Sequence, residues 1–219
     1  RTMELPAVLS VEGVMETVKN GDKLIIDGTE GIAIVSPGED ALARYTAKQA
    51  AYLADRAALT QYAGKPTVTA NGRQVLLYGN IGNPSEAKLV MDATGEGVGL
   101  FRTEFLFMDR EQLPTEEEQF EAYRQALEAM AGREVIIRTL DVGGDKDIPY
   151  LGLEKEENPF LGFRAVRYCL AREDMYIPQL RALVRASAYG DLKIMVPLVT
   201  CADELRRVKA LIGNIQREL

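Results

Sequence analysis

The chain has 219 residues, 47% of them apolar, a formal charge of −7 and no histidine. That length suits one large domain or a small unit joined to a medium one, and the apolar share is enough for a real core. The acidic balance argues against a general nucleic-acid binder while allowing a local basic pocket; the missing imidazole leaves no histidine here to act as base, phosphoryl acceptor or metal ligand.

No apolar run approaches the roughly 18 residues that a membrane helix needs. Cys169 and Cys201 do not form a disulfide framework, so a reducing, cytoplasmic setting is expected.

The chain opens on Arg1 without a methionine. Residues 1–38 read as the tail of a small α+β unit. Pro6–Leu9 suggests a strand, Val11–Val18 a short helix, Lys23–Asp27 a strand, and Gly28–Gly31 a turn into the strand Ile32–Val35. So few elements bury too little to be stable alone, and the other half of the unit is expected elsewhere. Ser36, Pro37 and Glu39 then read as a capping box with proline near the helix start. The alanine-rich stretch that follows predicts a helix to about Ala63, stopped by Gly64 and Pro66. Leu42, Tyr45, Tyr52 and Leu59 make one stripe at helical spacing. Residues 39–64 therefore read either as a linker helix between domains or as an ordinary amphipathic surface helix.

From residue 65 the rhythm changes. Thr67–Thr69 and Gln74–Tyr78 flank Asn71 and Gly72, a hairpin signal. Strand Val75–Ile81 precedes a helix started by Asn83 and Pro84 and closed by Gly95. Strand Val98–Arg102 precedes a long loop and a helix from Thr115, where Thr115 and Glu118 form a capping box. Phe120, Tyr123, Leu127 and Met130 line one face of that helix. Strand Glu134–Thr139 leads into a glycine-rich loop, then a helix started by Asn158 and Pro159, and another over Glu173–Tyr189. Strand Leu192–Leu198 leads into a helix from Ala202 to the end.

Four buried-type strands with helical crossovers imply parallel pairing. An eight-stranded barrel takes about 250 residues, so residues 65–219 read as half a barrel. An open four-stranded parallel sheet is the alternative.

If the strands are parallel, Asn80, Arg102, Arg138 and Pro197 lie along one edge, where α/β folds place ligand chemistry. Two arginines on neighbouring strand ends either clamp an anion through their bidentate forks or pair with Glu104 and Asp141 beside them. Gly143, Gly144, Asp145 and Lys146 form either an anion-approaching loop or a plain turn with a solvated lysine; the spacing is not that of a Walker loop. Arg164 and Arg167 either reach the same pocket or simply solvate. The acidic run Glu116–Glu118 fits a helix N-terminus better than a metal site. Both cysteines read as structural.

Four stretches carry a family resemblance. They are Gly-Val-Gly-Leu-Phe-Arg-Thr-Glu-Phe-Leu-Phe-Met-Asp-Arg (97–110), Pro-Thr-Glu-Glu-Glu-Gln-Phe (114–120), Arg-Thr-Leu-Asp-Val-Gly-Gly-Asp-Lys (138–146) and Glu-Glu-Asn-Pro-Phe-Leu-Gly-Phe-Arg (156–164). In this order they resemble the Enzyme I family of the bacterial sugar phosphotransferase system, the phosphoenolpyruvate-protein phosphotransferases. The opening Arg-Thr-Met-Glu-Leu-Pro-Ala is similar to the segment just after that family's phosphohistidine.

The resemblance implies a phosphohistidine swivelling domain, a linker helix and a phosphoenolpyruvate-binding (β/α)8 TIM barrel. It implies transfer of the phosphoryl group of phosphoenolpyruvate to a histidine with Mg2+, then to the carrier protein HPr. Dimers would form through the barrel. Arg102 and Arg138 would grip the phosphoryl group, with Arg164 and Lys146 supporting the substrate's anionic groups. The phosphohistidine, the magnesium ligands, the proton-donating cysteine and the HPr-binding domain find no match in these residues. A truncated piece without catalytic competence is therefore expected, and its open sheet edges are expected to self-associate. Pyruvate phosphate dikinase and phosphoenolpyruvate synthase are alternatives from the same superfamily; the compact spacing from Arg102 to Arg138 favours Enzyme I. A non-catalytic, anion-binding regulatory module is the alternative from another class.

Overall fold

A computed structural model describes residues 5–108, 110–143 and 148–219. The chain forms two compact units, Arg1–Ala63 and Gly64–Leu219.

In the first unit, a short helix α1 (Val14–Thr17) precedes the antiparallel strands β1 (Leu24–Asp27) and β2 (Ile32–Val35) and the long helix α2 (Glu39–Leu59). Asp27 closes the hairpin turn by accepting the backbone N–H groups of Thr29 and Glu30, each at 3.0 Å. This is the local bond by which aspartate favours turns. Lys48 on α2 donates to the other oxygen of Asp27 at 2.5 Å and lies 2.6 Å from Glu30. The Lys48 bond is the main cause holding the Asp27 carboxyl below its usual range.

Pro6–Leu9 is not a strand; it crosses the hairpin turn, where the backbone of Ala7 lies so near Gly28 that an added Cβ would sit 3.1 Å from the Ala7 carbonyl. The helix predicted over Val11–Val18 shrinks to α1, bounded by Gly13 at φ 68° and by extended Val18. Ser36 does not cap α2. Its N–H extends the hairpin by donating to Lys23 O at 2.9 Å, and Gly38 takes the capping position without a side-chain bond. Along α2 the predicted stripe is only half-buried at Leu42 and Tyr45 and exposed at Tyr52 and Leu59.

The second unit holds β3 (Tyr78–Ile81), α3 (Glu86–Asp92), β4 (Gly97–Arg102), α4 (Glu116–Ala129), β5 (Val135–Arg138), α5 (Val166–Ala171), α6 (Glu173–Ala186), β6 (Leu192–Met195) and α7 (Ala202–Glu218). The turn at Asn71 and Gly72 forms, with Gly72 at φ 84°, but it supports only an isolated bridge from Val68 to Gln74. Strand β3 accordingly begins at Tyr78 rather than Val75. The capping box of α4 is present as expected: Thr115 Oγ1 accepts from Glu118 N at 3.2 Å, and the Glu118 carboxylate accepts from Thr115 N at 2.7 Å.

The four strands are parallel and lie side by side in chain order, β3-β4-β5-β6. Sequential order is what a barrel requires, whereas a doubly wound sheet reverses at a switch point. The architecture is α/β with a parallel sheet, consistent with a partial barrel. Val98, Phe101, Val135 and Ile137 face the helices and are fully buried against Tyr123, Leu127 and Met130 of the α4 region and Tyr176, Leu180 and Leu183 of α6. Phe101 meets Tyr123 edge to face, with ring centroids 5.9 Å apart. Leu100 and Ile136 on the opposite face are half-buried, and Arg102 and Met195 are exposed. Strand alternation thus sends apolar side chains under the helices and carries the arginines to the open face.

Candidate anion-binding site at the strand ends

Arg102 and Arg138 are register partners on adjacent parallel strands, and each closes its strand. After Arg102 the chain turns at once into a 3-10 helix, Thr103–Leu106, which buries Glu104. Glu104 Oε1 accepts a hydrogen bond from Arg138 Nη2. Arg138 Nη1 also lies 2.9 Å from Asp141 Oδ2. The other oxygen of Asp141 accepts from Arg164 Nε at 3.1 Å and Nη2 at 2.9 Å. The Arg164 side chain is only 5% exposed.

The pairing of Arg138 with the neighbouring carboxylates, left open by the sequence, is therefore what the fold adopts. Two converging arginines do not by themselves demand an outside anion, because Glu104 and Asp141 partly neutralise them. The pairing is incomplete: Glu104 Oε2 and Arg138 Nε are buried without a hydrogen-bond partner. Arg102 behaves differently. It is exposed, its guanidinium lies 5.1 Å from the Phe105 ring centroid, and among the described residues no carboxylate forms an ion pair with it. Among the described residues, three guanidinium groups thus stand with two carboxylates at these strand ends.

Arg164 reaches Asp141 through an unusual local backbone. The predicted helix at Asn158 and Pro159 does not form there; α5 starts only at Val166. The intervening loop is closed by Glu156, whose carboxylate accepts from Phe163 N at 3.0 and 3.1 Å, and by Arg167, which donates from Nε to Gly162 O at 2.9 Å. Ala165 then sits at φ 51° and ψ −127°, with its N–H on Val142 O at 3.1 Å. Such a conformation costs an L residue on the order of 1–3 kcal/mol. Here it turns Arg164 inward. Lys146, with Gly144 and Asp145, lies outside the described residues.

The acidic run at the start of α4 is occupied by arginines. Glu116 meets Arg181 and Arg185 at 3.1 and 2.8 Å, Glu117 meets Arg185 at 2.8 Å, and Glu118 meets Arg110. Among the described residues no group of three or more His, Cys, Asp or Glu side chains converges as a metal site. Cys169 is buried, with its thiol 3.6 Å from Leu140 O, and Cys201 is exposed.

Beneath the arginines runs a buried polar chain that sequence reasoning missed. Gln179 of α6 accepts from Leu140 N at 3.0 Å. Its amide donates to Thr103 Oγ1 at 3.3 Å and to Tyr123 Oη at 3.2 Å. Thr103 in turn donates to Arg138 O at 2.8 Å. Tyr123 donates to Gln119 Oε1 at 3.2 Å, and Gln119 donates to Pro114 O at 3.2 Å. The one available sequence signal is that Gln179 interrupts the apolar stripe of Met175, Tyr176, Leu180 and Leu183.

A sequential parallel sheet with helices on one face and register-matched arginines at its strand ends defines an α/β domain consistent with a partial barrel. No helix among the described residues is long and apolar enough to cross a membrane. The chain belongs to the family described as PEP-utilising enzyme, PEP-binding domain, which matches residues 56–219. It is 52% identical over 212 residues to the phosphoenolpyruvate-protein phosphotransferase of Priestia megaterium, and 50% and 51% identical to proteins of that name from Staphylococcus aureus and Geobacillus stearothermophilus. In each case the match covers 97% of this chain and 37% of the relative, so the chain spans well under half the length of the curated relatives it matches.

Proposed function

We propose that this chain supplies the phosphoenolpyruvate-gripping half site of a phosphoenolpyruvate-protein phosphotransferase, built as the first half of a TIM barrel. The observation that carries this reading is the asymmetry of the register-matched pair. Arg138 is held by Glu104 and Asp141, while Arg102 projects beside it, exposed and without an ion-pair partner among the described residues.

In this reading Arg102 meets the phosphoryl group first. Arg138 joins it while Glu104 and Asp141 hold its guanidinium in place. Arg164 acts by holding Asp141 and so fixing the angle of Arg138. Lys146 supports the substrate's remaining negative charge. Fixed guanidinium groups around a phosphoryl group supply most of what phosphoryl transfer asks of a protein, namely positioning and charge stabilisation. The accepting histidine, the onward carrier HPr, dimerisation through the barrel and the bacterial cytoplasm belong to the same proposal. Mg2+ does too, as the cofactor of the whole enzyme. The carboxylates described here do not suit it, since Glu104 and Asp141 are engaged by arginines.

Calorimetric titration of the 219-residue chain with phosphoenolpyruvate, with and without Mg2+, tests the reading. Binding is expected, and it should be lost in the Arg102→Ala, Arg138→Ala double variant. Equal affinity in the folded double variant would remove the arginines from the site.

A further inference from the structure

We propose that Gln179 is a positioning residue for the arginine pair, setting the two strand ends that present Arg102 and Arg138. The inference rests on the phosphoryl-gripping reading above. Each of the two arginine-bearing segments has a buried residue that bonds to α6. On the first it is Thr103, between Arg102 and Glu104. On the second it is Leu140, next to Asp141. The side chain of Gln179 bonds to both, through Thr103 Oγ1 at 3.3 Å and Leu140 N at 3.0 Å. Thr103 passes the constraint to the Arg138 carbonyl at 2.8 Å. A single amide from α6 therefore fixes the relative height of the residues on either side of the Arg102–Arg138 pair.

The bonding directions leave no ambiguity in the amide's orientation. Leu140 N can only donate, so it faces Gln179 Oε1. The amide nitrogen then donates to the hydroxyls of Thr103 and Tyr123, and each hydroxyl donates onward, to Arg138 O and Gln119 Oε1. Gln179 and Gln119 are each 1% exposed, and Thr103 and Tyr123 are fully buried. In such a setting a fully satisfied network specifies one geometry, because any slip leaves a buried group unpaired. A leucine at position 179 would continue the apolar stripe of α6 and serve packing alone. The choice of glutamine there is accounted for by the strand ends it joins.

The test uses the 219-residue chain with Gln179→Leu, which keeps the bulk and removes all three bonds. Its readouts are the Arg138 Nε–Hε NMR resonance without ligand and the calorimetric affinity for phosphoenolpyruvate. In folded Gln179→Leu the resonance is expected to shift or broaden and the affinity to fall about tenfold, the effect of one lost buried hydrogen bond. Thr103→Val should reproduce the effect more weakly, and Thr103→Ser should restore it. Exposed Gln125→Leu on α4 should change neither readout. If Gln179→Leu does not fold, the Thr103 pair decides. An unchanged resonance with affinity within about twofold of the parent would overturn the positioning role and leave the half-site reading intact. A parent chain that binds no phosphoenolpyruvate would overturn the half-site reading, while the ligand-free resonance would still decide whether Gln179 sets Arg138.

Discussion

Arg138 and Arg164, from segments 26 residues apart, are tied to opposite oxygens of the same carboxylate, that of Asp141. One small side chain thus sets the spacing of two guanidinium groups. Asp141 is 8% exposed, and Arg164 is buried with it. Removing the charge of Asp141 would take from Arg138 and Arg164 the carboxylate they share.

Asp141→Asn keeps the shape of the side chain and should destabilise the chain by about 3–5 kcal/mol, the range for breaking a buried ion pair on one side. Urea unfolding followed by circular dichroism measures it. A loss below about 1 kcal/mol would mean that water or a neighbouring group already screens the cluster.

Much of this arrangement was legible in the sequence. The apolar runs ending in Arg102 and Arg138, with helical crossovers between them, pointed to parallel strands and a shared edge, and the two residues are register partners. The Thr115 and Glu118 capping box followed from local spacing alone. What stayed hidden depends on distant partners. Ser36 and Asn158 looked like helix caps, but a hairpin bond claimed the Ser36 N–H, and the inward turn at Ala165 displaced the helix start. Whether Arg138 pairs with Glu104 is settled only when the 3-10 turn places that carboxylate. Gln179 joins Thr103 from 76 residues away, a separation at which spacing carries no information.

The helix starts make stability pH-dependent. Glu118 is held below its ordinary value of 4.5 mainly by the Thr115 backbone N–H and then by Arg110. The Thr200 backbone N–H does the same, as the main cause, for Glu204 at the start of α7. A depressed carboxylate adds stability above its unfolded pKa, and that stability is lost as pH falls through the folded value. The advantage of the parent chain over Glu118→Gln and Glu204→Gln should therefore be full near neutral pH and shrink as pH drops below 4.5. A difference that stays constant over that window in denaturant melts would show that the charges contribute nothing at these caps.

The cysteines should respond unequally to thiol reagents. Burial, the largest cause, pushes the Cys169 thiol up, with the Asp141 charge adding to it. A thiol held protonated and out of solvent is a poor nucleophile. In the native chain a colorimetric thiol assay should count Cys201 alone, and in denaturant both. Rapid native labelling of Cys169 would indicate that the helix layer over β5 opens far more readily than its packing implies.

The approach of β3 to β4 depends on Gly97. A Cβ at this position would lie 2.8 Å from the Tyr78 ring and 2.9 Å from the Glu134 carbonyl. The ring can shift, but the carbonyl belongs to the backbone leading into β5. Gly97→Ala should therefore cost about 1–3 kcal/mol, the usual penalty of overpacking, and should lower the thermal midpoint. A neutral effect would mean that the strands separate without penalty, loosening the register on which the arginine pair depends.

Arg102 and Arg138 differ in what each supports. Arg138 compensates Glu104 and Asp141, both buried, so Arg138→Ala should cost about 3 kcal/mol or more in urea unfolding, as expected for an uncompensated buried charge. The contact seen for Arg102 is the face of Phe105, and an exposed cation–π contact is worth about 1 kcal/mol at most. Arg102→Ala should thus leave stability nearly unchanged while weakening phosphoenolpyruvate binding. If both substitutions destabilise the chain equally, Arg102 is a structural residue and the proposed first contact with the phosphoryl group must be assigned elsewhere.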